Sequence, residues 1–169
     1  MKKTTIFAAC LALGLCAVVA MAQTGAPKAA HQVARAQTLK WAPGPLPGSQ
    51  MAVVSGDPAK SGVPFVLRLK LADKVQVPAH WHPTDEHVTV LAGIFAVGMG
   101  DKYDGKKLDD LKVGDYLMIP KEMRHYGLAK GESVVQVHGM GPFAINWVNP
   151  ADVPAQPAPP KAAPAKKQK

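Results

Sequence analysis

Three residues close together in this chain have the types and the spacing that metal chemistry requires. His80 and His82 are separated by one residue, and Glu86 follows shortly afterwards. Side chains two positions apart on a β-strand share one face, so the two imidazoles can reach the same ion. Imidazoles with a carboxylate suit Mn, Fe, Co, Ni, Cu or Zn and do not suit Ca or Mg. This stretch therefore predicts part of a site for one divalent transition metal.

The alternation of side chains also separates Glu86 from its neighbour His87. Glu86 is in phase with Val88 and Val90, which are typical of a barrel interior, whereas His87 is in phase with Thr89. On a strand the two sets face opposite sides of the sheet. We therefore take Glu86 as the ligand and His87 as the second choice. Asp85 either orients a ligand imidazole or takes part in the turn before the strand.

A second stretch brings another histidine to the start of a strand. Gly114-Asp115 has the composition of a turn, residues 116–119 read as a short strand, and Pro120 ends that strand. His125 then lies near the beginning of the following strand, where its side chain can point back into a barrel.

These two stretches resemble the two sequence motifs of cupins. H-x-H-x3-E-x6-G runs from His80 to Gly93, and G-x5-P-x4-H runs from Gly114 to His125. The second motif usually has a glycine where this chain has Glu122. Over about residues 38–153 the chain resembles a group of small exported cupin-domain proteins. The resemblance implies an all-β fold, the double-stranded β-helix or jelly-roll barrel, with metal ligands at His80, His82, Glu86 and His125.

The elements needed to position such ligands are visible as short apolar runs of period two. In residues 65–71, Phe65, Leu67, Leu69 and Leu71 share one face, which is typical of a half-buried strand. Turn residues separate such runs throughout the central region, as expected for a sandwich or barrel. Residues 106–111 are the one segment that could form a helical turn. We predict strands at 51–55, 65–71, 75–82, 87–90, 94–99, 116–119, 134–138 and 143–148.

The ends of the chain differ in composition from this central region. Residues 1–22 have two lysines, an apolar run and a small-x-small cleavage signature, which predicts a signal peptide and export to the periplasm or outside the cell. An uncleaved anchor and a lipoprotein acylated at Cys16 are the alternatives. We predict a linker at 23–37, one barrel domain at 38–153 and a disordered Pro/Ala/Lys tail at 154–169. Since both cysteines lie within residues 1–22, the exported chain would contain no thiol. The apolar run lies in the same segment, so we expect no integral membrane segment after cleavage.

The positive charge of the chain is concentrated outside the central region. The whole sequence has a net charge of +8, whereas residues 38–150 contain ten Lys and two Arg against eleven acidic residues. This distribution does not indicate a nucleic-acid partner. We expect a small-molecule ligand or substrate, and we also consider a homodimer.

Two functions fit a metal-binding barrel of this kind. The first is a mononuclear metalloenzyme, of the dioxygenase, isomerase or decarboxylase type, acting on a small oxygenated molecule, with His138 or Glu122 as acid–base candidates. The second is a non-catalytic metal- or ligand-binding module in the cell envelope. Open coordination positions beneath a polar pocket would favour the enzyme, and a closed shell under an apolar lining would favour the module.

Overall fold

The computed structural model describes residues 31–155, which form an all-β domain with two short 3₁₀ turns. The predicted signal peptide, most of the linker and nearly all of the tail lie outside these residues. Within residues 31–155, no helix is long and apolar enough to cross a membrane. The strands are β1 (Ala42–Pro43), β2 (Ser49–Gly56), β3 (Pro64–Leu71), β4 (Gln76–Trp81), β5 (Glu86–Met99), β6 (Asp109–Leu111), β7 (Tyr116–Ile119), β8 (His125–Met140) and β9 (Asn146–Trp147).

The strands pair antiparallel into one curled sheet in the order β1-β2-β3-β8-β4-β9, with β5 pairing β6, β7 and β8. The core lies where β3, β5 and β8 meet. Its buried members alternate along each strand with more exposed residues, as the period of two predicts. The core residues are Phe65, Leu67, Val88, Val90, Val135 and Val137. The all-β barrel predicted from the sequence is confirmed.

The two longest strands are longer than the sequence indicated. We predicted a break at Ala92-Gly93, but β5 runs through it and remains paired with β8 from His87 to Met99. The register shifts on both sides of Ala92, and Gly93 has φ +72. A Cβ at Gly93 would overlap the carbonyl oxygen of Glu132 on β8. Glycine therefore allows a bulge that bends the strand without ending the ladder, which is why the predicted turn was wrong.

Residues 106–111 also differ from expectation, because no helical turn forms at 109–111. Instead β6 pairs with β5 in the register Phe95↔Leu111. Pairing satisfies backbone groups along this stretch of β5 that a local helical turn would leave without partners. At 143–148 the strand is shorter than predicted, since only β9 pairs, and its partners are His80 and Trp81 of β4.

Candidate metal centre

The ends of three strands bring the candidate ligands together. His80 lies near the end of β4, Glu86 is the first residue of β5, and His125 is the first residue of β8. His80 and His125 are directly paired across β4 and β8. His82 follows β4 at once and so remains beside its neighbour on the same face. Strand pairing thus joins two motifs that are far apart along the chain.

Three imidazoles converge, and a carboxylate lies against two of them. One ligand nitrogen from each of His80, His82 and His125 lies within 4.8 Å of the other two, which is the geometry of a group that could hold a metal ion. Glu86 Oε2 is 3.1 Å from His125 Nε2 and 3.4 Å from His82 Nε2. All four residues are buried. The structure therefore brings together a group of three histidines with Glu86 beside it.

Each of the three imidazoles is held from behind by the main chain. The Nδ1 atom of every ring lies at hydrogen-bond distance from a carbonyl oxygen. Because a carbonyl only accepts, Nδ1 carries the proton and Nε2 keeps a free lone pair, which is the tautomer a metal needs. The pairs are His80 with Pro78 (2.8 Å), His82 with Ala144 (2.8 Å) and His125 with Met123 (3.0 Å).

Two of the converging atoms are buried without a hydrogen-bond partner among the described residues, namely His82 Nε2 and Glu86 Oε2. Both atoms are lone-pair acceptors in this tautomer, so they cannot satisfy each other. Burying such groups unpaired costs free energy. A divalent cation would satisfy both at once, so the residues present fit a transition metal.

Burial sets the protonation states that metal binding requires. Burial, with the neighbouring imidazoles of His125 and His82, lowers the pKa of His80 to about 3. Burial is also the main reason that the pKa of His82 is lowered. For Glu86, burial acts to raise the pKa, but contact with His125 and interaction with the other two histidines outweigh it, so the pKa is lowered. The site therefore holds neutral imidazoles at His80 and His82 beside an ionised Glu86 carboxylate.

Aromatic rings and apolar side chains surround the centre. Phe143 stacks on His82 with ring centroids 4.1 Å apart and planes 19° apart, and Trp147 lies 5.4 Å from His80. Two small cavities adjoin the ligands, of about 50 and 40 Å³, and their other walls are almost entirely apolar. Sequence reasoning missed both rings, because it read residues 143–148 only as a strand.

The acid–base candidates do not join the cluster. His138 pairs with His87 across β5 and β8 and stacks on its ring at 4.8 Å, on the face opposite buried Val137. Glu122 is exposed at φ +64, and its N–H donates to the carbonyl of His82 at 2.8 Å. Asp85 accepts a hydrogen bond from the Lys121 N–H at 2.8 Å, which supports the turn and not a ligand imidazole.

Solved structures with the same fold include a polyketide cyclase and an RmlC-like cupin. The polyketide cyclase RemF from Streptomyces resistomycificus has a TM-score of 0.60 and 15% identity, covering 74% of this chain and 90% of its own. KdgF from Halomonas sp. has a TM-score of 0.52 and 17% identity, and the match covers 66% of this chain and 96% of KdgF. An RmlC-like cupin from Shewanella frigidimarina has a TM-score of 0.52 and 12% identity, and the match covers 66% of this chain and 91% of that cupin. At these identities the similarity shows the fold alone.

The family of this chain is identified by comparing its sequence with models of protein families. No curated protein matches this chain. The family model described as "ChrR Cupin-like domain" matches residues 29–144, which is more than half of the chain and includes the three converging histidines and Glu86. The chain therefore belongs to the ChrR cupin-like domain family of the cupins.

Proposed function

We propose that this chain is an exported metalloprotein that holds one divalent transition metal at His80, His82, Glu86 and His125 and acts on a small oxygenated molecule. The observation that carries the proposal is the convergence of three imidazole nitrogens and a carboxylate oxygen. Each imidazole is also oriented by a backbone carbonyl. Oxygenation, isomerisation and decarboxylation are the reaction types we consider.

The bound metal would supply a Lewis acid and open coordination positions for a small oxygen-containing molecule. The protein residues orient the ligands, keep the imidazoles of His80 and His82 neutral and limit the entry of water. Four protein ligands leave two positions on an octahedral ion, whereas they complete the shell of tetrahedral Zn. Catalysis therefore favours Mn, Fe, Co, Ni or Cu over Zn.

Both acid–base candidates, Glu122 and His138, lie outside the ligand cluster. Glu122 contacts His82 through its backbone and its side chain is exposed, whereas His138 lies on the opposite face of the sheet. Glu122→Gln and His138→Gln should then leave the metal content unchanged, and a loss of turnover in one of them would identify the acid–base group.

A second candidate function is a non-catalytic metal-binding module. It is favoured by the small volume and apolar walls of the two cavities beside the ligands, about 50 and 40 Å³. Cavities of this size admit a few waters or a diatomic molecule but not an organic substrate, unless side chains move.

Export forms part of the proposal and is tested separately. It is supported by the basic start, the apolar run and the small residues Ala20 and Ala22. Mass spectrometry of the protein isolated from its native cells should find a chain that starts near Gln23. Retention of residues 1–22, or a lipid on Cys16, would contradict export by a cleaved signal peptide.

The experiment that tests the metal function is elemental analysis of protein purified from its own cell envelope, followed by spectroscopy of the Fe(II) form with nitric oxide. We expect one metal ion per chain and an iron–nitrosyl signal, because two coordination positions are open. Bound metal without the nitrosyl signal would support the module. The absence of any bound transition metal would contradict both functions. His87→Ala is the control for Glu86→Ala and should keep its metal, since His87 lies next to Glu86 on the opposite face of the same strand.

A further inference from the structure

A larger apolar groove lies next to the metal centre. Its volume is about 400 Å³, within the usual range of small-molecule sites, roughly 300–1,000 Å³. It opens between the β1–β2 segment, the β2–β3 turn and the segment that follows β8. Among the described residues, no charged side chain lines it. The lining includes Pro43, Pro45, Met51, Leu69, Phe143 and Ile145.

The groove shares part of its wall with the cavity that touches the ligands. Pro45, Leu69, Phe143 and Ile145 line both the groove and the cavity of about 40 Å³ that is bounded by His80, His82 and Glu86. Phe143 connects the two most directly, because its ring stacks on His82 at 4.1 Å while it also lines the groove. A molecule in the groove would therefore be separated from a ligand imidazole by one aromatic ring.

The walls of the groove define the chemistry of its ligand. Prolines at 43, 45 and 58 have no N–H, so this part of the rim offers few donors. A carboxylate or phosphate buried here would lose its hydration without gaining a partner. An uncharged molecule that buries apolar surface meets no such cost.

The rim is also held in place by hydrogen bonds. The Phe143 N–H donates to the carbonyl of Pro58 at 2.7 Å. Ser49 braces the β1–β2 loop, since its Oγ donates to the carbonyl of Leu46 at 2.6 Å and accepts from the Leu46 N–H at 3.0 Å. These contacts preform the groove, which reduces the entropic cost of binding.

We propose that this groove binds an uncharged, predominantly apolar organic molecule, and that Phe143 separates that molecule from the metal centre. The inference rests on the proposed function, because it names the substrate class of the same site. It assigns the groove to recognition of the apolar part of the substrate.

The test measures binding of the uncharged fluorophore N-phenyl-1-naphthylamine to the full-length protein. Ala59→Trp should weaken binding at least tenfold, because Ala59 is exposed on the groove rim and a larger side chain fills the space. Ala151→Trp is the matched control, with binding within twofold of the wild type. In both alanines the backbone N–H donates to an Asx side chain two residues earlier, so the local structures are comparable. The sulfonated analogue 8-anilinonaphthalene-1-sulfonate should bind at least tenfold more weakly.

A second measurement tests the position of the groove relative to the metal. Co(II) should quench the fluorescence of the bound probe, and Zn(II) should not. Absence of probe binding, equal binding by the Ala59→Trp protein, equal binding of the sulfonate, or no quenching by bound Co(II) would overturn the inference. So would a wild-type dimer that Ala59→Trp converts to a monomer, because a second copy would then cover the groove. Failure of Co(II) to bind would contradict the proposed function, while the Ala59→Trp result would still decide whether the groove is a binding site.

Discussion

The two faces of β5 carry two histidine clusters with different properties. On the inner face, Glu86 contacts two of the three imidazoles of the candidate metal centre. On the outer face, His87 stacks on His138 at 4.8 Å, and its Nδ1 lies 2.6 Å from the Tyr116 hydroxyl. Adjacent residues on one strand thus contribute to sites with the same side-chain chemistry but different surroundings.

The difference lies in where the ring nitrogens point. The inner rings are each held by a backbone carbonyl, and their free nitrogens converge within 4.8 Å. The outer rings lie face to face, with planes 16° apart, so their nitrogen lone pairs lie in two nearly parallel planes and do not point at each other. Burial and the neighbouring His87 also lower the pKa of His138. Neighbouring histidines therefore form a metal site only where their ligand nitrogens point to one common position.

The largest expected effect distinguishes these faces by their response to metal. A metal that binds only the folded protein stabilises it by about 4 kcal/mol at a thousandfold excess over its dissociation constant. His82→Ala or Glu86→Ala should abolish most of the rise in melting temperature produced by Mn, Fe, Co, Ni or Zn at neutral pH. His87→Ala should retain it. If His87→Ala abolished the rise and Glu86→Ala did not, the assignment of the two faces would be wrong.

Acid should destabilise the metal-free protein through the inner face. Folded His80, with its pKa lowered to about 3, stays neutral while the unfolded chain takes up a proton below about 6.5. The free energy of unfolding should therefore be at its full value above pH 6.5 and fall towards pH 3, by at most about 1.4 kcal/mol per pH unit for this group. Urea unfolding at several pH values would measure the slope, and His80→Gln should flatten it. An unchanged slope in His80→Gln would contradict the buried, neutral state.

A smaller gain is expected in the loop that leads to His125. Glu122 occupies the left-handed region at φ +64, where a side chain costs about 1–2 kcal/mol and glycine does not. Glu122→Gly should raise the free energy of unfolding by about 0.5–1 kcal/mol after allowing for the greater freedom of glycine in the unfolded chain. Met123→Gly, at a position without a positive φ, should lower it. A loss of stability in both variants would show that the Glu122 side chain contributes more than its backbone strain costs.

The smallest effect belongs to the outer face. Tyr116→Phe removes the hydroxyl that contacts His87 and should cost about 0.5 kcal/mol, the low end for a hydrogen bond, because Tyr116 is exposed. Chemical denaturation would measure this loss, and the metal-induced rise in melting temperature should be unchanged. A reduced metal response would mean that the two faces are coupled through β5.

Much of the site was predictable because its information is local. Spacing by two residues places His80 and His82 on one face, and phase with Val88 places Glu86 inside. The same rule left Ala92-Gly93 misread as a turn, since composition alone does not distinguish a turn from a bulge within a long strand. The departure at Glu122 was visible as a residue in the place of a glycine, but its left-handed backbone became evident only in the structure.

The sequence by itself determined the all-β class and placed His80, His82 and Glu86 on one face, because these depend on residue types and on the two-residue period of a strand. His125 was added to the predicted ligands through the resemblance to the second cupin motif. Only the tertiary structure decided which distant groups complete the site: the Ala144 carbonyl behind His82, the Phe143 ring beside it, and the groove beyond that ring. It also decided that His138 faces away. These features depend on strand pairing between residues far apart in the chain, and no local spacing encodes that pairing.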